Sequence, residues 1–171
     1  MAEISNSRLY NFDTGILKQN ACVVIVRTEW NAAIVDKLDE GCTRILAKNH
    51  VKYRVVNVPG AFEIPFGIKS YWNQHSATED QPDAFVALAC IIKGGTPHFD
   101  YVCKGITDGI VHLNLSLPVP TIFGVLTVDS IEQAEERIGG VHGHKGEEAA
   151  ITALKMITLN QTVKIKDESS R

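Results

Sequence analysis

Apolar residues fall along the chain in short runs rich in Val, Ile and Phe: ACVVIV at 21–26, YRVVNV at 53–58, AFVALACII at 84–92 and VPTIFGVLT at 119–127. Runs of this length, with little polar alternation, predict strands buried on both faces. Between them the period changes. Ile34, Leu38, Cys42 and Ile45, and then Val102, Ile106, Ile110 and Leu113, recur at helical spacing and share one face of a helix. Asn31 stands where it can cap the first helix, Ser130 with Gln133 fits a capping box, and residues 147–159 predict a closing helix. Strand and helix in alternation predict a four-stranded parallel sheet with helices on both faces. Such sheets bind ligands beyond the carboxyl ends of their strands, so the loops after 28, 58, 92 and 127 are where chemistry is expected.

Residues 1–20 read as an N-terminal extension, 21–160 as one domain, and 161–171, which ends KIKDESSR, as a polar C-terminal tail. SATEDQPD at 76–83 is a polar connector. A length of 171 residues suits a single core. Apolar residues at 44% and charged residues at 22% match soluble globular chains, and no apolar run is long enough to span a bilayer, so no membrane partner is expected. The net charge of -3 lacks the basic excess of a chain that binds nucleic acid through phosphates. The opening, MAEISNSRLYNFDTG, has neither the apolar core of a signal peptide nor the Arg-rich character of a transit peptide, which predicts a cytoplasmic location. Cys22, Cys42, Cys90 and Cys103 form no C-x-x-C pair and read as reduced thiols. His142 and His144 form an H-x-H without a further ligand, so no metal is expected.

Open sheets of this kind often bind nucleotides, yet the phosphate-cradling motifs are missing. No G-x-G-x-x-G follows the first strand, where RTEWN stands instead, and no G-x-x-x-x-G-K-[ST] occurs, GHKGE being the nearest approach. The third strand instead runs into IIKGGTPHFDY. Gly94 and Gly95 let a ligand approach the backbone, Thr96 adds a hydroxyl, and the following helix turns its N-terminal amides toward negative charge. A phosphate monoester suits this loop, and His98 sits at its end.

VPGAFEIP at 58–65, KGGTPHFDYV at 93–102, IFGVLTVDSIEQAEER at 122–137 and HKGEEAA at 144–150 together resemble lumazine synthases, in the family's order and spacing, from about Ala21 to Leu159. The resemblance implies a flavodoxin-like three-layer α/β/α sandwich whose N-terminal segment adds a strand to a neighbouring subunit. It also implies a transferase of riboflavin biosynthesis. The reaction condenses 5-amino-6-(D-ribitylamino)uracil with 3,4-dihydroxy-2-butanone 4-phosphate to 6,7-dimethyl-8-ribityllumazine, with loss of phosphate and water and no cofactor.

Carried over residue by residue, the resemblance gives each candidate a role. Trp30 and Phe123 match aromatic walls against the pyrimidine, Ala61, Phe62 and Glu63 match the motif that holds the ribityl chain, and Cys90, Ile91 and Ile92 match the strand end along the pyrimidine edge. Gly95, Thr96 and Arg137 match the phosphate site, Lys145 matches a further basic residue beside it, and His98 matches the catalytic proton carrier. Imidazole suits that work near neutral pH, and the guanidinium fork suits phosphate. The family works as a homo-oligomer, a pentamer or twelve pentamers in a shell, with sites shared between subunits and riboflavin synthase as a further partner. The short link from Arg137 to Lys145 permits the shell. Two departures stand out: Pro97 restricts Thr96 to extended angles, and Cys90 replaces the Thr or Gly common elsewhere. An idle flavin- or lumazine-binding shell protein of the same fold is the alternative, against which His98 and Arg137 both speak.

Overall fold

In the computed structural model, which describes residues 8–9 and 20–168 with side chains as far as 163, every one of the apolar runs is a strand. They are β1 (Cys22–Thr28), β2 (Lys52–Val58), β3 (Ala84–Ile92) and β4 (Thr121–Val128). All pair in parallel, in the order β2-β1-β3-β4. Alternation along each strand sorts its side chains between two cores. Val23 and Ile25 of β1 pack with α1 (Ala32–Lys48) and α5 (Lys145–Glu168), whereas Val24 and Val26 pack with α2 (Ile64–His75) and α3 (His98–Ser116). The result is the three-layer α/β/α sandwich expected of the pattern.

Position in the sheet decides burial. β3 lies second from the edge with helices over both faces, and Ala84–Cys90 are all buried. β2 is an edge strand whose residues are mostly exposed, Tyr53 and Val55 among them. Its predicted burial on both faces is thus corrected: an apolar run reports strand propensity, and the sheet order determines what covers it.

Two caps differ from expectation. Asn31 stands at the N-cap of α1 but makes no capping bond, because it is held in the left-handed region (φ 56°, ψ 42°). Ser130 Oγ does accept from Gln133 N at 3.4 Å, but Gln133 Oε1 accepts from Asp129 N at 2.9 Å, so the box closes one residue early. Beyond α4 (Ile131–Glu135), the link to α5 contains a small antiparallel hairpin, β5 (Ile138–Gly140) and β6 (Gly143–His144), that the sequence pattern did not reveal. α5 is helical as far as Glu168, through residues read as the start of a tail. It lies so close to α1 that a Cβ on Gly146 would overlap the Leu38 carbonyl, which only glycine avoids. The N-terminal strand expected to join a neighbour falls at positions outside the described residues.

Candidate active site

The loop after β1 is fixed from both sides. Glu29 N donates to Val58 O at 3.0 Å and Trp30 N to Pro59 O at 3.3 Å, binding the loop to the end of β2. On the other side, Asn31 Nδ2 donates to Cys90 O of β3 at 2.7 Å. The buried Thr28 adds a bond from its Oγ1 to Trp30 O at 3.3 Å. What this bracing holds out is an indole ring 73% exposed. A large aromatic kept in solvent by a constrained loop is a contact surface for something outside the chain's own core.

Trp30 forms one wall of a groove of about 580 Å³ at the carboxyl ends of β1 and β3. Ala61, Phe62 and Glu63, in a single 3-10 turn before α2, form the second wall. Phe62 lies over Gly105 of α3, where a Cβ would strike its ring, and Glu63 reaches out from the turn exposed. Cys90, Ile91 and Ile92 make the floor. Burial pushes the Cys90 thiol up to about 11, so it is a protonated, unreactive group at neutral pH.

The far end of the groove is built from Gly94, Thr96 and His98. A Cβ at Gly94 or Gly95 would meet nothing within 4 Å, and neither residue has a positive φ. The fold of the isolated chain therefore does not demand glycine at either position. α3 opens at His98 with Pro97 before it and no side chain capping its amides, so a 19-residue helix points unsatisfied N–H groups at this loop. Asp100 is the one acid in its first turn. His98 is exposed here, next to those amides.

Thus Trp30, Ala61, Phe62, Glu63, Cys90, Ile91, Ile92, Thr96 and His98 meet in one groove, with Gly95 between two of its lining residues. Phe123, Arg137 and Lys145 do not join them. Phe123, in register with Ala87, and Lys145 line a separate groove of about 690 Å³, with Leu9, at the edge of β4 that pairs with no other strand among the described residues. Arg137 follows α4, half-buried, with its carbonyl accepting from Lys145 N at 2.8 Å and no ion pair to its guanidinium among the described residues. The Lys145 ammonium is engaged by Glu148 at 2.5 Å.

The groove also recruits residues that the motifs did not single out, namely Thr28, Asn31, Gly60, Phe99, Tyr101 and Val102. Tyr101 was within reach of sequence reasoning, since it lies one helical turn after His98, and it is 72% exposed. Among the described residues no group of three or more His, Cys, Asp or Glu is placed to hold a metal ion. His144 packs instead on Gly41 of α1, and burial lowers its pKa.

Comparison with known proteins bears on what this groove is for. A family model described as 6,7-dimethyl-8-ribityllumazine synthase matches residues 20–161. Proteins named 6,7-dimethyl-8-ribityllumazine synthase are similar over most of their length. The one from Parabacteroides distasonis is 44% identical over 88% of this chain and 93% of its own, and that from Bacteroides fragilis 47% identical over 78% and 92%. The protein from Porphyromonas gingivalis is 41% identical over 89% and 93%.

Proposed function

The chain belongs to the 6,7-dimethyl-8-ribityllumazine synthase family, and from that membership we propose how its groove makes a lumazine. The enzyme is a transferase of riboflavin biosynthesis that joins 5-amino-6-(D-ribitylamino)uracil to 3,4-dihydroxy-2-butanone 4-phosphate. Atoms balance when one phosphate and two waters leave. The amine attacks the ketone and water departs to give an imine; phosphate is then eliminated; the ribityl-bearing nitrogen closes the second ring as the other water leaves.

The observation that carries the assignment is that one groove joins an exposed indole, a turn bearing a carboxylate and an uncapped helix N-terminus with a histidine. The pyrimidine stacks on Trp30, its edge follows the Cys90–Ile92 strand end, and its ribityl hydroxyls meet the Ala61–Glu63 turn. The phosphate sits at Gly95, Thr96 and the α3 amides, where dipole and donors favour charge. His98 gives and takes protons as imine formation and elimination proceed. Phe123 and Arg137 serve the site of a neighbouring subunit, because their own fold keeps them out of the groove that holds His98. The working unit is therefore a homo-oligomer, a pentamer or a shell of twelve pentamers, in the cytoplasm and with riboflavin synthase as a further partner.

The test is complementation. His98→Ala and Arg137→Ala are each assembled alone, then unfolded, mixed and refolded together. An interface that takes His98 from one chain and Arg137 from the other is whole, so lumazine formation by the mixture should exceed the mean of the separate variants. An assembled mixture that only equals that mean shows that both residues act within one chain.

A further inference from the structure

The H-x-H of the sequence, His142 and His144, belongs to the β5–β6 hairpin and lines neither groove. That hairpin holds Arg137. Ile138 pairs with His144 across it, Lys145 N closes it on Arg137 O at 2.8 Å, and His142 N donates to Glu136 O at 3.2 Å. Its strands are three and two residues long, and a pair this short is marginally stable by itself, so something outside the hairpin must fix where it lies on the domain.

The imidazole of His144 is placed to do this. It fills a notch in α1, where a Cβ added at the buried Gly41 would overlap the ring atoms Cε1, Nδ1 and Nε2. Glycine inside a helix is less stable than alanine, so α1 carries a cost at the one point where the ring is seated. Nδ1 is buried and takes no hydrogen bond, which leaves shape to hold the ring. The charged groups around it are Arg44 of α1 and Glu147 and Glu148 of α5, while β5 is Ile-Gly-Gly and adds none. Glu147 is paired with Arg44 and Glu148 with Lys145. Burial therefore dominates and holds the His144 pKa below its ordinary value, so the seated ring is neutral at pH 7.

We propose that His144 is a positioning residue for Arg137: its ring, locked into the Gly41 notch, anchors the β5–β6 hairpin on α1 and so sets where the guanidinium meets the phosphate of the butanone substrate. The inference rests on the phosphate role proposed for Arg137. His144 itself touches no substrate. Because its folded pKa lies below the unfolded one, the anchor is complete above about pH 6.5 and is lost as pH falls through the lowered value.

The experiment is steady-state kinetics on assembled wild type, His144→Ala, Gly41→Ala, the double variant and Arg137→Ala, each substrate varied in turn. His144→Ala should raise the butanone phosphate KM about 5- to 10-fold, less than the roughly 10- to 150-fold that losing a whole charge-assisted hydrogen bond costs. The pyrimidine KM should stay within about twofold. Gly41→Ala, which unseats the ring from the α1 side, should do the same, and the double variant should be little worse than either alone, since both remove one lock. In wild type alone, the Lys145 amide that closes the hairpin should lose protection from hydrogen exchange between about pH 7.5 and about pH 5, while the amides of Ala84 to Leu88 in β3 keep theirs. Equal rises in both KM values, additive effects of the two substitutions, or hairpin protection that is the same at both pH values would each overturn the proposal. The exchange measurement needs no variant, so it decides the matter even if the substituted chains do not assemble. A butanone phosphate KM that Arg137→Ala leaves unchanged would overturn the phosphate reading and this proposal with it; a KM that rises there but not in His144→Ala overturns this proposal alone.

Discussion

Replacing Asn31 separates the two ways in which the loop bearing Trp30 is held. Asn31→Ala removes the 2.7 Å bond to Cys90 O and places an alanine at φ 56°, in the left-handed region. The part-buried hydrogen bond contributes about 1 kcal/mol net, and the backbone strain adds about 1 kcal/mol, because alanine lacks the local hydrogen bonding that eases Asn into this region. Asn31→Gly loses the same bond but sits without strain, and its cost is about 1 kcal/mol once the freer unfolded chain is counted. Alanine should thus lower the thermal midpoint by about 4 to 8 °C and glycine by roughly half of that. The assay is thermal unfolding followed by circular dichroism at one protein concentration, since subunit association shifts the midpoint. An alanine variant as stable as the glycine variant would refute the backbone argument. Two variants as stable as wild type would show that the bond to Cys90 contributes nothing.

His98→Ala should slow lumazine formation by about 10- to 10,000-fold; a pyrimidine titration should change little, because Trp30 and the Ala61–Glu63 turn remain, and unaltered turnover would remove His98 from the chemistry. The chain's only tryptophans are Trp30, in the groove, and Trp72, packed against the α2 side of the core. A ribitylaminouracil titration should therefore quench fluorescence in Trp72→Phe and scarcely in Trp30→Phe, and the reverse would place the ligand away from the first loop.

The sheet was legible because its strands are continuous apolar runs, and Val23 to Val26 can be buried on both faces only between two helical layers. Ile34, Leu38 and Cys42 marked the buried face of α1 in the same way. What escaped depends on contacts distant in sequence. The edge position of β2 follows from pairing order, which its own composition does not encode. α2 begins inside VPGAFEIPFGI, where Pro65 at its first turn resembles a breaker but is tolerated, since the amide it lacks would be unpaired anyway. The β5–β6 hairpin spans too few residues to show a period. For the site, His98 and Trp30 were read at the ends of two strands, and the two line one groove. The role of Asn31 turned on a carbonyl contributed by β3, which only the folded chain brings beside it.

The burial of β3 has a consequence for how the groove moves. From Ala84 to Leu88 it is paired with β1 on one side and, from Phe85, with β4 on the other, and both cores cover it, so backbone hydrogens of that stretch should exchange only when the domain opens, whereas Ala89 to Ile92 are paired with β4 alone and the last two are half-buried. The exposed stretch from Gly94 to Pro97, beyond the Lys93 N bond to Val128 O, lies in neither helix nor sheet and should exchange by local fluctuation. In the proposed binding mode the groove passes, across a few residues, from a strand end anchored on that buried stretch to a compliant rim at Gly94 and Thr96. In that mode the ring, which must stay aligned through every bond change, would rest on the first, and the departing phosphate would be held by the second.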